Sequence, residues 1–139
     1  MSRILAVDHG TQRIGLALSD PTGRLARPLT VLAHVQRQAD AAAVAGLARE
    51  HEAGLIVVGQ SFDEDGRPNF AGRQAARFAE ALRSQTDLPV ELWDEAFTSR
   101  DARQARLEMG APRRKRSGHL DDLAATLLLQ SYIEGHSQP

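Results

Sequence analysis

The sequence predicts an α/β fold: a mixed five-stranded sheet, made of an antiparallel three-strand meander and then two parallel strands, flanked by helices. Three observations predict it. Two apolar runs, 4–7 and 13–19, are separated by a polar reversal containing Gly10, and a third β-prone run follows at 26–33. Strands joined by such short turns pair antiparallel. The period of the apolar residues then changes from strand to helix, and two further apolar runs, 55–59 and 88–93, each follow a helical stretch. That alternation builds parallel βα units on an existing sheet.

Each element has a local reason. Residues 4–7 have the length and aliphatic content of a buried strand, and Asp8 stands where the strand meets the surface. Gly10 with Thr11, Gln12 and Arg13 turns the chain back. The Asp20-Pro21-Thr22-Gly23 tetrapeptide is a strong turn signal. Pro28 near the start of the third strand favours an edge position, because proline cannot donate to a ladder. A helix is expected over 38–52, with Ala39, Ala42, Ala43, Ala45, Gly46 and Leu47 as a small face suited to close packing, and with Gly54 as its stop. Residues 55–59 are continuously apolar, as in a strand buried on both faces. The polar stretch 60–69 is a candidate functional loop. A second helix is expected over 70–85, with Ala71, Ala75, Phe78, Ala79 and Leu82 inward and Arg67, Arg73, Arg77 and Arg83 outward. After the strand 88–93, Thr98 caps a helix that ends near Met109 at the Gly110–Pro112 stop. A final helix over 120–133 turns Leu123, Ala124, Leu127 and Leu128 inward.

Composition narrows the function classes. A chain of 139 residues with 42% hydrophobic and 25% charged residues reads as one soluble domain over 1–139. The absence of cysteine excludes disulfides, thiolate metal sites and cysteine catalysis. No apolar run approaches the roughly 18 residues of a membrane helix, and the N-terminal run is too short for a signal peptide, so a cytoplasmic protein is expected. The net charge of −1 is unevenly spread: from Arg100 to Arg116, seven bases against two acids leave +5, and the rest of the chain carries −6. Such a band suits a polyanion, although a solvated helix face followed by a basic loop has the same composition.

Three acids share a topological place. Asp8 ends the first strand, Glu95 follows the fifth beside Asp94, and Asp121 opens the last helix beside Asp122. If strands one, four and five are parallel neighbours, their C-terminal ends form one edge, where open α/β sheets bind ligands. Carboxylates gathered there suit Mg²⁺ or Mn²⁺, and two such ions about 3.5–4 Å apart support phosphodiester hydrolysis. Each acid also has a structural reading: Asp8 as a turn carboxylate, Glu95 as a cap of the following helix, Asp121 as a complement to a helix dipole. His119 reads equally as a phosphate ligand or proton shuttle and as a loop histidine without a role. His9, next to Asp8, should point to the other face.

Four blocks resemble the YqgF-type family of pre-16S ribosomal RNA nucleases, also described as Holliday junction resolvase-like proteins. They are 4–20 (ILAVDHGTQRIGLALSD), 55–69 with its Asp65-Gly66, 90–99 (VELWDEAFTS) and 118–132 (GHLDDLAATLLLQSY). The resemblance implies a ribonuclease H-like fold and a metal-dependent nuclease using Mg²⁺ or Mn²⁺. By position, it places the catalytic and metal-binding acids at Asp8, Glu95 and Asp121, the last preferred over Asp122. Two departures stand out. Gln60-Ser61-Phe62-Asp63 replaces a Leu-Pro-Leu-Asn-like segment, and Ala96-Phe97 replaces Arg-Leu after the Asp-Glu pair. Neither removes a proposed ligand.

The main expectation is therefore a hydrolase that cleaves nucleic-acid phosphodiesters, with structured RNA in 5′-end processing of pre-16S ribosomal RNA as substrate. The alternative substrate is branched DNA, a four-way Holliday junction, which would call for a symmetric homodimer. Arg13, Arg100, Arg103, Arg113, Arg114, Lys115, Arg116 and His119 are expected to contact phosphates. Two other classes stay in view: a non-catalytic RNA-binding assembly factor, and a nucleotide-binding module, since Asp-His-Gly-Thr before a hairpin also resembles the phosphate loop of sugar kinases and actin-like ATPases.

Overall fold

The computed structural model describes residues 2–96 and 119–136, with the backbone alone at 119–121. The elements are β1 (Arg3–His9), β2 (Arg13–Ser19), β3 (Ala26–Ala33), α1 (Arg37–Glu50), β4 (Ala53–Gln60), α2 (Phe70–Arg83), β5 (Val90–Asp94) and a last helix, α3 (His119–Gly135). The helix expected after Thr98 and the basic loop that follows lie outside the described residues.

The five strands form one sheet in the order β3-β2-β1-β4-β5. β1 is central, antiparallel to β2 (Asp8 opposite Gly15) and parallel to β4 (Val7 opposite Val58), and β4 is parallel to β5 (Gln60 opposite Asp94). This is the expected meander with two parallel additions. β3 is an edge strand, as Pro28 suggested, and its register slips where Ala17 meets Pro28. The Asp20 turn also forms as read. Its carboxylate accepts hydrogen bonds from the Thr22 hydroxyl at 2.6 Å and from the backbone N–H groups of Arg24 and Leu25 at 2.8 and 3.1 Å.

Strand alternation sorts the core into two faces. Leu5, Val7, Ile14, Leu16, Ile56 and Val58 point to the side covered by α1 and α2, around the fully buried Phe78. Ala6 and Ala17 point to the side covered by α3. That helix is fastened at both edges of the sheet. The Trp93 indole N–H donates to the Ser131 hydroxyl at 2.8 Å, the Tyr132 hydroxyl donates to Glu91 at 2.8 Å, and the Ala26 N–H donates to the Gln130 side-chain carbonyl at 3.1 Å.

Several expectations are corrected. Gly54 is not a helix stop; it lies inside β4, and a Cβ there would come within 2.5 Å of the Ser2 side chain. The turn out of α1 is taken instead by Glu52 in the left-handed region, with φ of 58°. In α1 the buried residues are Ala41, Val44, Ala45 and Ala48 with Asp40, so the small face is rotated from the expected one. A run of alanines carries little phase information, and Val44 decides which side turns in. In α2, Ala71 is exposed and Gly72 is buried, because a Cβ at Gly72 would strike the Ser61 carbonyl. In α3 the buried stripe is Ala125, Leu128, Leu129, Tyr132 and Ile133, while Leu123, Ala124 and Leu127 are only half-buried.

Candidate active site at the sheet edge

The C-terminal ends of β1, β4 and β5 lie side by side, so Asp8, Gly59 and Glu95 come to one edge. Asp8 shares the strand parity of Ala6, and Gly59 that of Val57, which places both on the α3 face. Asp8 has Gly15 opposite it on β2, and Gly59 stands one residue beyond the Val7–Val58 pair on β4. Two glycines thus flank the carboxylate within the sheet.

Glu95 follows β5 directly. Its N–H donates to the Gln60 carbonyl at 3.0 Å, and the preceding Asp94 uses its own carboxylate to accept from the Ala96 N–H at 2.9 Å. Asp94 therefore closes the turn while Glu95 turns over the sheet. A Cβ at Gly59 would stand 3.2 Å from Glu95 Oε2 and 3.0 Å from the Leu128 side chain. The missing side chain of Gly59 is the room that the Glu95 carboxylate occupies. Burial, and secondarily the charge of Asp94, raise the pKa of Glu95.

Asp121 lies in the first turn of α3. Leu128 of that helix touches the Gly59 position, while Tyr132 and Ile133 lie beside Ser2 and Ile4 at the other end of β1. α3 therefore runs opposite to β1, and its first turn is the end directed toward the Asp8 edge. Among the described residues no three His, Cys, Asp or Glu side chains form a group that could hold a metal ion. The described donors at this edge are Asp8 and Glu95, and the side chain of Asp121 is outside the described set. The donor chemistry fits a hard divalent cation, because both are carboxylates, and a cation would relieve the cost of holding Glu95 charged in a partly desolvated position.

The remaining expected residues divide. Arg13 opens β2 and is exposed at the same edge. His119 is the first residue of α3, with its side chain outside the described set. Arg100, Arg103, Arg113, Arg114, Lys115 and Arg116 all lie outside the described residues. His9 points to the opposite face, as expected, where its ring stacks on Phe78 at 4.6 Å between centroids. Gly10 is required by the hairpin itself: its N–H donates to the Arg13 carbonyl at 2.9 Å, and a Cβ would come within 2.6 Å of that oxygen.

Sequence reasoning missed Gly59. The available signal was a glycine at the end of an otherwise bulky aliphatic strand, which marks a close approach. Gln60 was also missed; its buried amide donates to the Gly72 carbonyl at 3.2 Å and anchors the start of α2 to the end of β4.

Residues 2–135 match the RuvX family model, described as Holliday junction resolvase. A protein of Anaeromyxobacter sp. (strain Fw109-5), named "Putative pre-16S rRNA nuclease", is 42% identical over 133 residues, covering 96% of this chain and 97% of its own. One of Syntrophus aciditrophicus with the same name is 38% identical over 136 residues, covering 98% and 91%. Among solved structures, Thermus thermophilus RuvC in complex with a Holliday junction substrate aligns with a TM-score of 0.61 at 18% identity, over 99% of this chain and 98% of that one. The fowlpox virus resolvase with Holliday junction DNA aligns with a TM-score of 0.60 at 13% identity, over 98% and 99%. At such identities the likeness is one of fold, and the fold is ribonuclease H-like.

Proposed function

The chain belongs to the RuvX family, and from that membership we propose that it is a divalent-metal-dependent nuclease, a single cytoplasmic domain acting in 5′-end processing of pre-16S ribosomal RNA. The observation that carries the reading is the placement of Asp8 and Glu95 on one face of the sheet edge, with Gly59 leaving room between them. The names borne by relatives at 42% and 38% identity over nearly the whole chain support the RNA substrate.

In this reading Asp8, Glu95 and Asp121 are the metal-binding and catalytic acids. Bound Mg²⁺ or Mn²⁺, as a pair, would supply Lewis-acid polarisation of the phosphate and a water of lowered pKa. The chain's own residues do the rest. β1 and β4 hold Asp8 rigidly, because both strands are paired on two sides. Glu95 sits in a half-buried position that favours a cation beside it. Arg13 and His119 at the edge, with Arg100, Arg103, Arg113, Arg114, Lys115 and Arg116, contact phosphates and orient the strand without reading its sequence. Among the described residues no helix is long and apolar enough to cross a membrane.

The second reading is resolution of a four-way DNA junction, favoured by the description of the family model. It requires a symmetric dimer making paired cuts, whereas trimming one RNA end does not.

The test is cleavage of a precursor ribosomal RNA fragment, a single strand and a four-way DNA junction, with Mg²⁺ and with Mn²⁺. Asp8→Asn and Glu95→Gln should each lower the rate by about a hundredfold or more, the cost of removing a group that acts through the metal. Calorimetric titration with Mn²⁺ should show weakened binding in both variants. Wild-type rates in Asp8→Asn would overturn the assignment, and cleavage of the junction alone would replace RNA with DNA as substrate.

A further inference from the structure

On the other side of the sheet from Asp8, but at the same edge, lies a cavity of about 420 Å³, within the usual size of a ligand pocket. Its walls include His9, Thr11, His34, Arg37, Phe70 and Gln74. We propose that this cavity binds an unpaired nucleotide of the substrate strand, its base stacked on Phe70 and its phosphate held by Arg37. This rests on the nuclease reading above and extends its substrate path around the β1–β2 turn.

Four observations lead there. Phe70, the first residue of α2, is 62% exposed and lines the cavity, so its ring is open to a stacking partner. The Arg73 guanidinium stands 6.0 Å from the centroid of that ring, so the aromatic surface already carries a cation suited to a polyanion. The Arg37 guanidinium donates to the Gln74 side-chain carbonyl at 3.3 Å, bridging α1 and α2 across the mouth. Among the described residues no carboxylate lines the wall: the nearby Asp40 is only 4% exposed, hydrogen-bonded with His34 Nδ1 at 2.5 Å and accepting the Val35 N–H at 3.0 Å. Among the described residues the accessible charge of the site is therefore the Arg37 guanidinium, beside an apolar plane. A nucleotide combines a π-face that stacks on phenylalanine with a phosphate that takes arginine.

The position also fits. His9 in the cavity wall adjoins Asp8 in the chain and faces the opposite way, and the Gly10–Thr11 turn separates the two faces. A strand whose scissile phosphate sits at Asp8 and Glu95 passes over that turn and delivers a neighbouring nucleotide to Phe70.

The test uses the whole chain with metal chelated and a duplex carrying a single-stranded tail with 2-aminopurine. The tail is RNA in one arm and DNA in the other, and a blunt duplex is the reference. Wild type should quench the fluorophore and prefer the tailed duplex by about fivefold or more, the fold-change expected for one stacked base. Phe70→Leu should abolish the quenching and bring the preference near one, with a melting curve confirming that the fold is kept. Arg37→Gln should flatten the salt dependence of tailed binding by about one unit of slope. Quenching and preference unchanged in Phe70→Leu would overturn the pocket. If wild type cleaves nucleic acid but shows no tail preference, the pocket fails while the nuclease reading stands. If it neither binds nor cleaves any of these substrates, both fail.

Discussion

The two faces of the sheet are built differently. Toward α1 and α2, the described core holds seventeen buried residues, mostly Leu, Ile and Val around Phe78. Toward α3 it holds six, three of them alanines, with Gly59 in the same layer. The first face excludes water thoroughly and supplies most of the apolar burial that stabilises the fold. The second is thinned so that one helix lies close to the strands and two carboxylates stand over the sheet at its edge. Stability and the proposed chemistry thus occupy opposite sides of the same five strands, and β1 serves both: Val7 packs in one direction while Asp8 is presented in the other.

The largest expected effect on this division comes from Phe78→Ala. Removing a fully buried ring should cost about 3–5 kcal/mol in chemical denaturation. The rate per folded molecule should stay within severalfold of wild type; a loss as deep as that of Asp8→Asn would show that the two faces are not separable.

An intermediate effect is expected from Gly59→Ala. The new methyl group would press on Leu128 at 3.0 Å and on Glu95 Oε2 at 3.2 Å. Stability should change by about 1 kcal/mol, whereas the cleavage rate should fall roughly tenfold through displacement of Glu95. Full activity in this variant would mean that Glu95 need not occupy the space above the sheet.

The smallest effect concerns the far end of the meander. The Asp20 carboxyl is held down to about 2, first by the Thr22 hydroxyl and then by the Arg24 and Leu25 N–H groups. Because its folded value lies below the unfolded one, its contribution is present above pH 3.8 and is lost as pH falls through about 2. Thermal melts of Asp20→Asn should therefore lie slightly below wild type at pH 5, and the gap should close toward pH 2. A constant gap would assign the turn's stability to shape rather than charge.

Much of the fold was legible because its signals are local. The Asp20 turn, the edge strand with Pro28 and the buried run of β4 each follow from a few adjacent residues. The phases of the helices were harder to read. Ala39, Ala42 and Ala43 look as buriable as Ala41 and Ala48, and Leu127 as buriable as Leu129; which side turns in depends on the partner surface. Gly54 looked like a helix stop but is a close approach to Ser2, far away along the chain, and Gly72 is likewise a close approach, to the Ser61 carbonyl eleven positions earlier.

The sequence by itself determined the strand order and the family and nominated the three acids, since hydrophobic period, turn chemistry and motif spacing are written in the chain. Only the tertiary structure decided that Asp8 and Glu95 share a face, that Gly59 makes the space above the sheet for Glu95, and that Phe70 stands exposed beside Arg73 at a cavity behind the site. Those relations join β1 to β4, β5 and the starts of two helices. They exist only once parallel pairing has brought strands separated by tens of residues into register, and strand parity then converts one residue's shift into a change of face.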